Sequence, residues 1–175
     1  PNYSIRTLYW EYLEQLTRDL NTDVVIDTRE ERAAINALAK GDPAPYIKHI
    51  CGNIFKRLSN RDLIGFDEKY IKLILLNGLF RSNLYEPTSE KEVETGYIDI
   101  FLQRRMPDVP CEWVWELKYL KKGNVTKETE ATTFTAAKEQ LERYRQSALL
   151  RDRTDVKYAA LLFTGKDQYR IEVVP

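Results

Sequence analysis

The run Gly96-Tyr97-Ile98-Asp99-Ile100-Phe101-Leu102, followed after a proline-marked gap by Trp113-Val114-Trp115-Glu116-Leu117-Lys118, decides how this chain folds. Both stretches are rich in β-branched and aromatic residues, and the first reads as a strand covered on both faces. A lone carboxylate in such a strand is costly, so Asp99 demands a partner. In the second stretch successive side chains alternate faces, which sets Glu116 and Lys118 side by side while Leu117 points away. Pro107 and Pro110 interrupt the pattern, so Gly96 to Leu102 and Glu112 to Tyr119 are expected to pair antiparallel across a long hairpin loop. Paired so, Asp99 and Glu116 bring two carboxylates within reach of one divalent cation, with a lysine beside them. Such an oxygen-rich set suits magnesium, or manganese in its place, and the guest it fits is a phosphodiester.

Outward from these strands, the N-terminal side reads as helical. Tyr3 to Thr17 carries an apolar stripe at Ile5, Leu8, Tyr9, Tyr12, Leu13 and Leu16. A second helix begins near Thr28, with Thr28 and Glu31 at capping-box spacing, and stops at Gly41 and Pro43. Pro45 opens a third, which ends at the Ser59-Asn60-Arg61 corner. Residues 1–60 are therefore expected to be all-helical, and residues 61–175 to form the main domain. A fourth helix spans Phe66 to Phe80, capped by Asp67. Its Glu68 lies in line with Ile71 and Leu75, where it could join a metal shell, although the helix dipole favours an acid in any first turn.

Tyr85 to Pro87 and Lys91 to Val93 read as short strands. Beyond the decisive pair, Lys121 to Thr133 reads as a polar loop and Ala136 to Leu150 as a helix with Ala137, Leu141 and Tyr144 inward. Gln140 falls on that inward side, where a polar residue wants a partner. Lys157 to Thr164 and Tyr169 to Val174 close the chain as strands around a Gly165-Lys166-Asp167 turn. The order of helix, strands, helix, strand, strand predicts an α/β fold.

Composition narrows the functions available. With 27 basic and 27 acidic residues the formal charge is zero, so contact with nucleic acid must be local. Lys121, Lys122 and Lys127 in the loop after the second motif strand are the candidates to hold a phosphate backbone. The single His49 cannot build a zinc site or a nucleophilic triad by itself. Cys51 and Cys111 have no CxxC partner and are expected to be reduced, which implies a cytoplasmic address. No apolar run approaches the ~18 residues of a membrane span. The first residue is Pro1, and a piece of a longer protein is expected.

A helix acid at Glu68, a strand ending Gly-Tyr-Ile-Asp at residue 99, a strand with Trp-Glu-Leu-Lys at 115–118 and a helix with Glu139-Gln140-Leu141 and Tyr144 resemble the PD-(D/E)XK nuclease superfamily. The resemblance is specifically to the domain at the C-terminal end of AAA-ATPase-like proteins of gut bacteria; it covers roughly Asp67 to the end, and it implies that residues 1–60 are the helical segment joining such an ATPase to this domain, or the end of a preceding domain. Ile98 stands where the family name has proline. The resemblance implies a restriction-endonuclease-like core, a mixed sheet of about four or five strands flanked by helices, preceded by the helical segment. It also implies that Asp99, Glu116 and Glu68 hold magnesium or manganese, that Lys118 orients the attacking water or balances developing charge, and that Gln140 supports the site. The implied substrate is nucleic acid, DNA in the first place, and the implied neighbour is an ATPase in the same full-length protein. No P-loop is present here, because Gly165-Lys166 is followed by Asp167 without the upstream glycine. Two rival readings accompany this one. A catalytically silent nuclease-fold module could use Trp10, Trp113, Trp115 and the 11 tyrosines for partner contacts. Paired acids could also serve glycoside hydrolysis, but Lys118 has no necessary role in that chemistry.

Overall fold

The computed structural model describes residues 28–57, 67–80, 82–165 and 168–175. The expected Tyr3 to Thr17 helix, the Thr28 side-chain cap, the Ser59-Asn60-Arg61 corner and most of the Gly165-Lys166-Asp167 turn lie outside them. The elements run α1 (Thr28–Ala39), α2 (Ala44–Asn53), α3 (Glu68–Phe80), β1 (Tyr85–Val93), β2 (Gly96–Arg104), β3 (Glu112–Tyr119), α4 (Lys127–Arg145), β4 (Val156–Phe163) and β5 (Tyr169–Val174).

The strands form one five-stranded sheet in the order β1-β2-β3-β4-β5. The β1–β2, β2–β3 and β4–β5 pairs are antiparallel, and β3–β4 is parallel. A parallel neighbour needs a crossover, and α4 supplies it. The sheet is therefore mixed and flanked by helices, as the resemblance implied, within the α/β class that the order of elements predicted. Side-chain alternation gives it two faces. Ile100, Leu102, Trp113, Trp115, Leu117, Ala159, Leu161 and Phe163 share a core with α1, α2 and α3. Phe101, Val114, Tyr158, Ala160 and Leu162 pack with Phe134, Ala137, Leu141 and Tyr144 of α4. Burial on both sides explains why β2, β3 and β4 read as continuous apolar runs.

α1 and α2 share the core on one face of this sheet. Trp113 Nε1 donates to the Leu38 carbonyl at 3.0 Å, and the Tyr46 hydroxyl of α2 donates to the Leu75 carbonyl of α3 at 2.5 Å. Gly78 permits that approach, since a Cβ there would sit 2.5 Å from the Tyr46 hydroxyl.

Several boundaries differ from expectation. α2 ends at Asn53, ahead of a 3-10 turn at Phe55–Arg57, instead of running as one helix to the corner at residue 59. β1 is a single strand from Tyr85 to Val93 rather than two pieces. β2 continues through Arg104 instead of ending at Leu102. The largest difference is α4, which starts at Lys127, inside the segment expected to be a loop, and ends at Arg145 instead of Leu150. Its start is set by a capping box: the Thr126 hydroxyl accepts from Thr129 N at 3.1 Å, and the Thr129 hydroxyl accepts from Thr126 N at 2.9 Å. Threonine in place of the usual glutamate at the reciprocal position hid that signal.

Candidate active site

The β2–β3 ladder is bridged from Leu102–Trp113 to Ile100–Trp115. The next residue on each strand is one of the two acids, Asp99 on β2 and Glu116 on β3. At this point the Asp99 side chain takes the place of the backbone ladder, its Oδ2 accepting from Leu117 N at 2.9 Å. Its Oδ1 accepts from Lys72 Nζ of α3, also at 2.9 Å. Glu116 is almost wholly buried at 1% exposure. Its Oε1 accepts from Lys118 Nζ at 2.5 Å, as period-two spacing required of a shared face. Its Oε2 is buried and, among the described residues, has no hydrogen-bond partner.

The charges of this cluster act on one another. Burial, and after it the negative charge of Asp99, pushes the Glu116 carboxyl up to about 7, against the pull of Lys118. Glu68, at the first turn of α3, has its carboxyl raised by burial and then by Asp99, with Lys118 and Lys72 opposing. Burial works to lower the Lys118 ammonium, yet its hydrogen bond to Glu116 and the charges of Glu116, Glu68 and Asp99 hold it above the usual lysine range. The structure thus brings Asp99, Glu116, Lys118 and Glu68 into one electrostatic unit where the ends of β2 and β3 meet α3.

Gln140 is half-buried on α4 and approaches this unit through an intermediary. Its Nε2 donates to the Tyr144 hydroxyl at 3.0 Å, which in turn donates to the Tyr97 carbonyl at 2.6 Å. The Tyr144 hydroxyl is raised by burial and next by the charge of Glu116, so it lies close to the acid. Lys121 and Lys122 are exposed beyond the end of β3; Lys127 is exposed too, but it is the first residue of α4 and not a loop residue. The buried His49 lies on α2 with Nδ1 3.0 Å from Asn53 Nδ2.

Sequence reading missed Lys72 and Glu90, and read Tyr144 as inward without its hydrogen bond to Gln140. Lys72 had a signal: it interrupts the greasy run Ile71 to Leu76, and a lysine is buried there only if it is paired. Glu90, which also accepts from Lys72 Nζ, had none, because its role depends on strand pairing.

The oxygen atoms suit a hard cation. Glu116 Oε2 is an anion's atom without a partner, Asp99 lies beside it, and the donors are carboxylates. Among the described residues, no three His, Cys, Asp or Glu side chains already converge as a closed metal-binding group. Asp99 and Glu116 face Lys72 and Lys118 instead.

The family model described as the PD-(D/E)XK nuclease superfamily matches residues 66–173, from the start of α3 to the end of β5. The chain belongs to the PD-(D/E)XK nuclease superfamily. Comparison with curated proteins returns no match. In this PD-(D/E)XK domain the matched span contains every residue of the acid and lysine cluster, while α1 and α2 precede it. No helix among the described residues is long and apolar enough to cross a membrane.

Proposed function

We propose that this PD-(D/E)XK domain is a magnesium- or manganese-dependent nuclease that hydrolyses phosphodiester bonds, with DNA as its substrate. One observation carries the reading: a buried, partnerless carboxylate oxygen on Glu116 beside Asp99 and Lys118. Asp99 and Glu116 would hold the cation, and Glu68 would complete its shell. When bound, a divalent cation supplies Lewis-acid polarisation of a phosphoryl oxygen and lowers the pKa of an attacking water.

The chain's own residues do the rest. Lys118, with its side chain 24% exposed, reaches solvent and stays protonated, so it can contact the scissile phosphate and balance charge as it develops. Asp99 keeps its geometry through Leu117 N, which leaves the carboxylate little freedom to swing away. Gln140 acts through Tyr144, holding that hydroxyl beside Glu116. Lys121, Lys122 and Lys127 would grip the backbone of the substrate on either side of the cut. A cytoplasmic setting draws support from Cys51 and Cys111, both buried and neither joined in a disulfide. An ATPase partner follows from the family resemblance, and so does a joining role for residues 1–60, of which α1 and α2 share a core with the sheet.

A second reading has an observation in its favour. Asp99 and Glu116 are each already paired with a lysine, as a silent module that neutralises its own site would require. Supercoiled and linear DNA and RNA, incubated with manganese or magnesium, separate the two. Cleavage by the wild type, lost in Glu116→Gln and Lys118→Ala, supports the nuclease. Absence of both cleavage and calorimetric metal uptake overturns it in favour of the silent module, and equal cleavage by all three proteins marks a contaminant.

A further inference from the structure

Lys72 has no part in the chemistry above, yet it is the most enclosed cation in the cluster. Its side chain is 7% exposed, too little to touch a substrate, and it stands between two carboxylates. One is Asp99 Oδ1 at 2.9 Å, and the other is Glu90. The two acids come from neighbouring strands. On β1, Ser89 pairs with Ile100 and Lys91 with Ile98, which sets Glu90 beside Asp99 across the ladder. Asp99 is buried, whereas the Glu90 side chain is 56% exposed.

Glu90 also bears a backbone cost. Among the described residues it is the one non-glycine position with positive φ, at 52°. A side chain in the left-handed region crowds its own carbonyl. Such strain persists where the surroundings impose it, and it concentrates at working sites. Here it interrupts the β1 pairing opposite Asp99 and turns a carboxylate towards Lys72.

A lysine ammonium and a divalent cation on the same buried carboxylate repel strongly, because little water lies between them. The second Asp99 oxygen is committed to Leu117 N, so the cation and Lys72 compete for Oδ1. Among the described residues, Glu90 is the one other carboxylate hydrogen-bonded to Lys72.

We propose that Lys72 is a placeholder cation: it neutralises Asp99 until a divalent ion arrives, and then leans wholly onto Glu90, which is held in a strained conformation to receive it. Lys72 and Glu90 are thus positioning residues that set the metal affinity of the site. The inference rests on Asp99 being a metal ligand, as the proposed function has it.

The test is manganese titration by calorimetry into the full chain, as wild type, Lys72→Met and Glu90→Gln, with thermal unfolding of each in chelator and in manganese. Lys72→Met is expected to bind manganese tighter by on the order of tenfold. Its melting is expected to fall in chelator and to recover with manganese. Glu90→Gln is expected to bind more weakly, because Lys72 loses its second seat. A lysine that only neutralises a buried acid would lower the melting of Lys72→Met while leaving both affinities at the wild-type value, and that result overturns the proposal. A shift of both variants in the same direction does so too. If Lys72→Met does not fold, Glu90→Gln decides: weaker binding supports the idea and unchanged binding sinks it. Wild-type binding with unchanged variants removes the placeholder alone, whereas no uptake by any of the three proteins removes the metal reading with it.

Discussion

Asp99 is tied to the main chain of the neighbouring strand, its Oδ2 accepting the Leu117 N–H at 2.9 Å. The bond falls where the backbone ladder of β2 and β3 stops, so a side chain takes over from the ladder one residue past Glu116. The acid is held by the sheet itself and does not rely on its own rotamer preference.

Replacing Asp99 separates its two roles. Asp99→Asn keeps an oxygen for Leu117 N–H but loses the charge that faces Lys72. It is expected to fold, to be less stable by about 1–3 kcal/mol, and to lose divalent-ion binding. Asp99→Ala removes both hydrogen bonds and leaves the buried Lys72 poorly compensated, at a cost of about 3–5 kcal/mol. Urea denaturation with manganese calorimetry checks this. Equal stability of the two variants would mean that the Leu117 bond contributes nothing.

Stability without metal should depend on pH in an unusual direction. In the folded protein the Glu116 carboxyl is raised to about 7, chiefly by burial. In the unfolded chain it titrates near its ordinary value of about 4.3. Between these values the native state binds a proton that the unfolded state does not, so stability is full at the acid end and is lost as pH rises. Glu68, also raised, adds to the same slope. Urea midpoints measured in chelator across this window should fall for the wild type and fall less for Glu116→Gln. A rising wild-type curve would contradict the burial of that acid. Metal affinity should run the other way, strengthening through about pH 7 as Glu116 ionises.

The α4 capping box should matter to stability and not to the site. Thr126→Ala removes the acceptor for Thr129 N and is expected to cost about 1 kcal/mol. Thermal melts read this loss, while manganese affinity should stay at the wild-type value. An altered affinity would tie the start of α4 to the metal site.

If Lys121, Lys122 and Lys127 touch the backbone of duplex DNA, neutralising all three should weaken binding for every sequence. It should also flatten the plot of log affinity against log salt by about 0.9 for each phosphate that is no longer neutralised. Fluorescence anisotropy over a salt series, with calcium to allow binding without cleavage, is the measurement. A slope identical to that of the wild type would assign these lysines to the solvated surface.

The decisive strands were legible because their signals are local. Apolar and aromatic runs identified β2 and β3, and the prolines between them marked the hairpin loop. The spacing of Glu116 and Lys118 placed both on one face, where Lys118 Nζ lies 2.5 Å from Glu116 Oε1. The start of α4 was not legible, since Thr126 and Thr129 cap each other with hydroxyls where a glutamate is the usual sign. Gln140 reads from the sequence as an inward polar residue in want of a partner, and only packing decided that its Nε2 meets the Tyr144 hydroxyl.

The sequence by itself determined the order of elements, the alternation of faces along each strand and the presence of acids inside apolar runs, because these follow from covalent geometry over a few residues. Only the tertiary structure decided which charge answers which. Lys72 and Asp99 lie 27 residues apart, and they meet because α3 packs across the strands that carry the acids. Glu90 joins them through strand register and a backbone turned to positive φ. Such meetings depend on how a helix seats on a sheet, and no periodicity in the chain encodes that.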